Sequence, residues 1–266
     1  DGVPLETLDA RAAREMAPGI NPGCLGGVYS PIDGQAGAMA TVEAFASAAR
    51  RLDARVEEGA VVKALVVEDS RVVGIERGDG SRQPCDVAVV TAGAWTTSLL
   101  APLGVNLPLH TRPLQMLLTR PAPGSLPPVL GCFERKISFK QLTGGAFLIG
   151  GGWPGRVVDH EANRWQVLED SVRGSLEVAG EVYPPVAACA LDRSWIGLEA
   201  FLPDELPAIG PVPGLGGLLV ATGFSGHGFA LSPMVGDVLA RLALGREALP
   251  SLWCDLRVDR PSLAGS

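Results

Sequence analysis

The sequence predicts a mixed α/β (α+β) protein. Two discontinuous pieces make one domain, and a β-rich second domain is inserted between them. Three observations carry that prediction. Residues 216–244 read as strand, glycine turn and helix. Residues 36–100 read as helix, antiparallel meander and strand. Residues 105–200, between them, are richer in strands, prolines and tryptophans. A chain of 266 residues can form one large domain or two smaller ones with ample core.

Composition narrows the class. The chain is 47% hydrophobic, too apolar for a disordered polypeptide. Its net charge of −7 argues against a nucleic-acid surface, which needs clustered Lys and Arg. No apolar run reaches the length of a membrane span. The opening DGVPLETLDARAAREM has no basic region followed by an apolar one, so no secretory signal is expected. Cys24, Cys85, Cys132, Cys189 and Cys254 are scattered without a CxxC pair, which reads as reduced thiols in a cytoplasmic protein. His110, His160 and His227 are not spaced as a metal pair, and no metal site is expected.

In order, Leu5 to Met16 reads as a charged helical segment, followed by a Pro/Gly-rich connector. Gly27 to Tyr29 reads as a short strand closed by a Pro31–Gly34 turn. Ala36 to Leu52 is a helix, alanine-rich, with Met39, Val42, Phe45 and Ala49 recurring every three or four residues. The runs Val61-Val62, Leu65 to Val67 and Val72 to Ile75, with turn signals at 68–70 and 78–80, predict an antiparallel meander. Asp86 to Val90 is a buried-type strand ending at Thr91-Ala92-Gly93-Ala94-Trp95, with a helix to about Leu100. In the middle, Phe147 to Ile149 is a strand before three glycines. Asn163 to Val178 reads as a helix, and Leu191 to Phe201 alternates as a half-buried strand does.

The chain is organised around residues 216–244. Leu218 to Ala221 suits a buried strand, and a glycine-dense turn follows at 223–229. Met234, Val235, Val238, Leu239 and Leu242 then recur at helical spacing. Ser232-Pro233 predicts an N-cap followed by Pro at the first helical position. Strand, glycine turn and helix bring bare N–H groups and a positive helix end to an anionic or electron-rich ligand, although a plain tight β–α turn has the same spacing. Other motifs fail. Gly223-Phe224-Ser225-Gly226-His227 has His where a nucleophile elbow needs Gly. Gly214-Leu215-Gly216-Gly217 precedes a strand that a dinucleotide fingerprint should follow, and no properly placed GxGxxG occurs.

Five stretches occur together in one order. They are Tyr29-Ser30-Pro31-Ile32-Asp33-Gly34, Gly59-Ala60-Val61-Val62, Val89 to Trp95, Leu206-Pro207-Ala208-Ile209-Gly210, and Ala221 to Phe229. In these the chain resembles the D-amino-acid-oxidase-like family of FAD-dependent oxidoreductases, which includes glycine oxidase and sarcosine oxidase. Lys136 to Gln141 through Gly150-Gly151-Gly152-Trp153, and Arg193 to Glu199, look most like one branch, the flavin subunits of opine oxidase, hydrogen cyanide synthase and related amine dehydrogenases.

The resemblance implies an incomplete FAD-binding Rossmann-like domain with a β-meander, plus an inserted β-rich substrate domain. The implied division is 1–26 substrate-domain segment, 27–104 FAD-binding domain, 105–200 substrate domain, 201–250 FAD-binding domain and 251–266 tail. Val62 would meet the adenine end of FAD through its backbone. Thr91, Ala92, Gly93 and Trp95 would line the cofactor, with ordinary core as the other reading of Trp95. Gly223, Phe224, Ser225, Gly226, His227, Gly228 and Phe229 would lie along the isoalloxazine, the next helix start facing its N1/C2=O edge. Lys140, Trp195 and Glu199 are candidates for the substrate side, and His227 for proton transfer. Lys140 reads equally as a solvated strand charge, and His227 as a histidine that packs the turn.

Family members normally begin with a βαβ unit carrying GxGxxG and an acidic residue for the ribose. This sequence starts after that unit. Glu199 stands where some relatives place an arginine for a substrate carboxylate, which weakens the case for a simple amino-acid substrate. No cysteine directly precedes the glycine turn, where monomeric sarcosine oxidase has one, which favours a non-covalent flavin. The implied activity is oxidation of a C–N bond of an amino acid, secondary amine or opine by hydride transfer to flavin, with partner subunits expected of a multi-subunit dehydrogenase. The competing expectation is a truncated non-catalytic chain, or a subunit unable to bind FAD alone.

Overall fold

The structure is a computed structural model in which residues 2–133, 135–159, 164–246 and 249–263 are described. The chain begins with strand β1 (Glu6–Asp9), helix α1 (Ala10–Met16) and strand β2 (Gly26–Tyr29). Composition predicts one helix from Leu5, but Glu6 to Asp9 instead pair antiparallel with Tyr29 to Gly26. The break falls at Asp9, whose carboxylate accepts the Ala12 N–H at 2.8 Å. An N-cap residue has non-helical backbone, so α1 begins one residue later.

Helix α2 (Ala38–Arg51) has the expected stripe, but none of its residues is buried. The meander follows as β3 (Val62–Glu68), β4 (Arg71–Arg77) and β5 (Arg82–Pro84), all antiparallel. Asp69 and Ser70 turn the β3–β4 hairpin with φ of 46° and 59°. Two consecutive left-handed residues match the right-handed twist of the strands they join. Strand β6 (Ala88–Val90) leads into a short 3-10 turn and helix α3 (Thr96–Leu100).

The middle holds β7 (His110–Thr119), β8 (Leu130–Cys132), β9 (Arg135–Gln141), β10 (Phe147–Gly150), β11 (Arg156–Asp159) and β12 (Arg164–Gln166). Helix α4 (Glu169–Val182) and β13 (Leu191–Phe201) come next. Of the helix expected from Asn163 to Val178, Asn163 lies outside the described residues and residues 164–166 pair with β11 as strand. The helix begins at Glu169, where Glu169 and Asp170 complement the positive helix end. It runs on to Val182, and Pro184-Pro185 cannot continue it. The chain closes with β14 (Ala208–Pro211), β15 (Leu218–Thr222) and α5 (Gly228–Ala243).

These elements form two compact units, Asp1–Gly37 with Pro113–Gly197, and Ala38–Arg112 with Leu198–Ser266. The first is built on a five-stranded sheet of order β13-β7-β10-β9-β8. Its core gathers Leu117, Phe139, Phe147, Ile149 and Tyr183. Helix α4 turns the small residues Ser171, Ser175 and Ala179 inward, four apart, which lets the helix lie close against its neighbours.

The second unit contains the meander and a three-stranded sheet of order β14-β15-β6. All five residues of β15 are buried, as a central strand with neighbours on both edges requires. Strand β15 is antiparallel to β14 and parallel to β6, with Leu218 opposite Ala88 and Val220 opposite Val90. Residues 251–263 belong to the same unit, with Val258 and Leu263 in its core.

Candidate functional site

The parallel pairing of β6 with β15 decides where the site residues go. Both strands end in the same direction, so the turn after β6 and the turn after β15 leave the sheet side by side. Thr222, 1% exposed, ties the two turns together, its hydroxyl donating to the Gly93 carbonyl at 3.2 Å. The carboxyl ends of parallel strands are where open α/β sheets present backbone to ligands. Thr91, Ala92, Gly93 and Trp95 therefore stand beside Gly223 to Phe229. Val62 shares a cavity of about 400 Å³ with Val89, Val90, Thr91 and Ala92. All twelve positions expected at the cofactor fall in the second unit.

The turn after β15 is held by backbone. Ser225 N–H donates to Ala200 O at 3.2 Å, His227 N–H donates to Phe224 O at 2.9 Å, and Phe224 bridges to Phe201 of β13. Gly223 has φ of 72°, and a Cβ there would sit 2.6 Å from Leu202 Cδ1, so its glycine answers a packing need. Gly226 is exposed with φ of 89°, and a Cβ there would meet Glu199 Oε2 at 3.3 Å. Gly223 closes the turn against the core, while Gly226 keeps its outer face bare.

Helix α5 begins at Gly228, five residues before Pro233, not at the expected Ser232-Pro233 cap. Proline lacks the N–H that would bond Phe229 O, and the Ser232 hydroxyl fills that acceptor at 2.9 Å. The displaced start puts the helix end directly on the glycine turn. Its first turn has no side-chain cap and no acidic residue, so its N–H groups and positive end are free to face a ligand. Phe229 in its first turn is 46% exposed, Trp95 after β6 is 39%, and Val62, beside residues 89–92, is 37%. Bare backbone, an uncapped helix end and uncovered apolar side chains fit the flat, electron-accepting ring and long apolar edge of a flavin.

The substrate-side candidates divide between the units. Glu199, in the second, has one oxygen, Oε2, buried without a hydrogen-bond partner among the described residues. Burial pushes its carboxyl above the usual carboxylate range, while neighbouring His227 pulls the other way. His227 itself is exposed at the start of α5 and makes no side-chain cap. Lys140 and Trp195 lie in the first unit. Lys140 Nζ donates to the Ala36 carbonyl at 3.3 Å. The Trp195 ring lies under the Arg193 guanidinium, 5.5 Å from centroid to charge. His160 lies outside the described residues, and among those described no group of His, Cys, Asp and Glu gathers as a metal site needs. No described helix is long and apolar enough to cross a membrane.

Sequence reading missed Thr222. The available signal was a hydroxyl ending an otherwise apolar strand, since such a group is tolerated in a core only when hydrogen-bonded.

Comparison with known proteins identifies the family and the fold. The profile described as DAO, FAD dependent oxidoreductase, matches residues 1–242. Glycine oxidase of Pseudomonas putida is 27% identical over 247 residues, covering 92% of this chain and 66% of that protein. Hydrogen cyanide synthase subunit HcnC of Pseudomonas protegens is 28% identical over 245 residues, covering 91% of this chain and 57% of that protein. The crystal structure of glycine oxidase from Geobacillus kaustophilus superposes with a TM-score of 0.84 at 25% identity, covering 97% of this chain and 68% of that one. The chain thus spans about two thirds or less of the length of these two sequence relatives, and it has the FAD-binding fold of the glycine oxidase structure.

Proposed function

The chain belongs to the DAO family of FAD-dependent oxidoreductases, and from that premise we propose that it takes part in oxidising a C–N bond of an amino acid, secondary amine or opine. A bound flavin would supply the acceptor for hydride leaving the carbon next to nitrogen. The chain's own residues bind and orient. Gly226 and Gly228 leave the backbone open to a flat ring, the first turn of α5 offers N–H donors to its anionic edge, and Trp95 and Phe229 cover apolar surface. Thr91 to Gly93 stand alongside, and Val62 takes the adenine end. The observation that carries this reading is the parallel β6–β15 pair, which sets both turns on one edge.

We divide the chain functionally as the resemblance does. Residues 27–104 and 201–250 serve the cofactor, and 1–26 and 105–200 serve the substrate. The flavin is held non-covalently, because no cysteine occurs between Cys189 and Cys254 to reach it from the turn. All five cysteines are free, which suits a reducing cytoplasm. Similarity to a hydrogen cyanide synthase subunit supports partner subunits in a larger dehydrogenase. Lys140, Trp195 and Glu199 remain the substrate-side candidates.

A second reading has its own support. Met39, Val42 and Phe45 of α2 are 73%, 60% and 58% exposed, so the chain as it stands leaves an apolar helix face uncovered. That favours a subunit that needs additional polypeptide before it retains FAD. The deciding experiment is an absorbance spectrum of the purified chain before and after FAD addition and desalting. A retained two-band flavin spectrum that bleaches with glycine, proline or an N-alkyl amino acid supports the enzyme reading. A colourless protein moves the assignment to the dependent subunit.

A further inference from the structure

The glycine turn is gripped from two places by the chain that runs from β13 into β14. On one side Ala200 O accepts the Ser225 N–H at 3.2 Å, Phe201 bridges to Phe224, and Leu202 packs against Gly223. On the other, Ala208 pairs with Thr222, the residue of β15 from which the turn springs. Residues 203–207 are the loop that joins these two grips. Glu205 lies in it with φ of 58°, a left-handed backbone that costs free energy for a residue carrying a side chain. Such a loop keeps its shape only if something holds it.

The holder comes from the far end of the chain. Arg260 is buried, and its guanidinium donates to both Asp204 oxygens, to Leu206 O at 2.7 Å and to Pro207 O at 3.0 Å. The Ser262 hydroxyl donates to the same carboxylate. Val258 and Leu263, on either side of Arg260, sit in the core of this unit, so the cation is anchored before it reaches the loop. A guanidinium presents its N–H groups in a fixed planar fork. Bonds to a carboxylate and to two consecutive carbonyls therefore set the loop's orientation as well as its attachment.

We propose that Arg260 is a positioning residue for the glycine turn, clipping residues 204–207 so that Ala200 to Leu202 and Ala208 stay seated on either side of it. Arg260 acts through the loop and not by touching a ligand. The inference rests on the functional reading above in one respect, that the turn is a wall of the cofactor site. It gives the C-terminal segment a share in shaping that site.

The test is amide hydrogen exchange of the full chain, comparing Ser225 and His227 in the turn with amides of β3 and β4 in the same unit. In Arg260→Ala the turn amides should exchange roughly tenfold faster relative to the meander than in the parent. Val258→Ala, which removes core from the same segment and leaves the clip intact, should speed both regions equally. Equal acceleration of turn and meander in Arg260→Ala overturns the proposal, as does an unchanged turn. If Arg260→Ala does not fold, Arg260→Lys keeps the charge without the fork and should loosen the turn selectively, by a smaller factor. Exchange decides the proposal whether or not the chain binds FAD. A parallel FAD titration separates it from the functional reading. A turn loosened selectively with FAD affinity unchanged sinks the turn as a cofactor wall and leaves the clip standing. FAD affinity lost with no selective loosening sinks the clip alone.

Discussion

Thr222 and Gly93 are 129 residues apart in sequence and joined by a 3.2 Å hydrogen bond from the threonine hydroxyl to the glycine carbonyl. The bond fixes the turn after β6 relative to the turn after β15. Thr222→Val keeps the shape and removes the donor, leaving the Gly93 carbonyl with one partner fewer. That should cost about 1–3 kcal/mol and weaken FAD retention more than Thr222→Ser does. Urea unfolding with flavin titration checks both, and a Thr222→Val protein as stable as the parent would show that the bond does no work.

The two glycines of the turn should fail in different ways. Gly223→Ala drives a methyl into Leu202, which is 1% exposed, and keeps a strained positive φ, so stability should fall by about 1–3 kcal/mol or more. Gly226→Val sits at an exposed position, and its branched side chain should abolish flavin retention while a larger share of the melting temperature survives. Equal FAD affinity in Gly226→Val and the parent removes the turn from the site.

Arg260 and Asp204 predict an acid-sensitive lock. Arg260 is 5% exposed. Its guanidinium donates to both Asp204 oxygens at 2.8 and 2.9 Å and to the carbonyls of Leu206, Pro207 and Arg257. The guanidinium, with help from Ser262, holds the Asp204 carboxyl far below the usual carboxylate range. A lowered folded-state value means the stabilisation is complete above the unfolded value of about 3.9 and is lost as pH falls below it. Arg260→Ala leaves a part-buried carboxylate unpaired and should cost about 3–5 kcal/mol. Urea midpoints from pH 6 to pH 2.5 should fall steeply below about pH 4 in the parent and less so in Arg260→Ala. Parallel curves would assign the acid sensitivity to other carboxylates.

The uncovered face of α2 predicts self-association. Met39→Lys, Val42→Glu and Phe45→Lys together should reduce sedimenting aggregate without lowering the unfolding midpoint, because none of the three is buried. A lower midpoint in the triple variant would show that this face packs against something in the folded chain.

Much of this was legible in the sequence for reasons that can be stated. The meander announced itself through valine-rich runs between acidic and glycine turns. The Leu218 to Ala221 strand stood out because a wholly buried strand has no polar alternation. Local signals were misread where a tertiary partner decided the outcome. Ser232-Pro233 has the composition of a helix start, yet the serine hydroxyl compensates for the proline and the helix begins at Gly228. Residues 6–9 have helical composition but are claimed by β2. The orphaned oxygen of Glu199 could not be read at all, since an unmet hydrogen bond is a property of surroundings assembled from distant parts of the chain.

The parallel pair of β6 and β15 also constrains the order of events during synthesis. A ribosome completes Ala88 to Val90 long before Leu218 to Val220, so the first strand must wait while the intervening stretch is made. Closing so long a loop is entropically slow, and pairings of this kind are the late, rate-limiting ones. In the interval the edge of β6 is open to any other strand it meets, including that of a neighbouring nascent chain. The geometry that sets the two turns side by side therefore makes this pairing a late one to form and a place for folding to go astray.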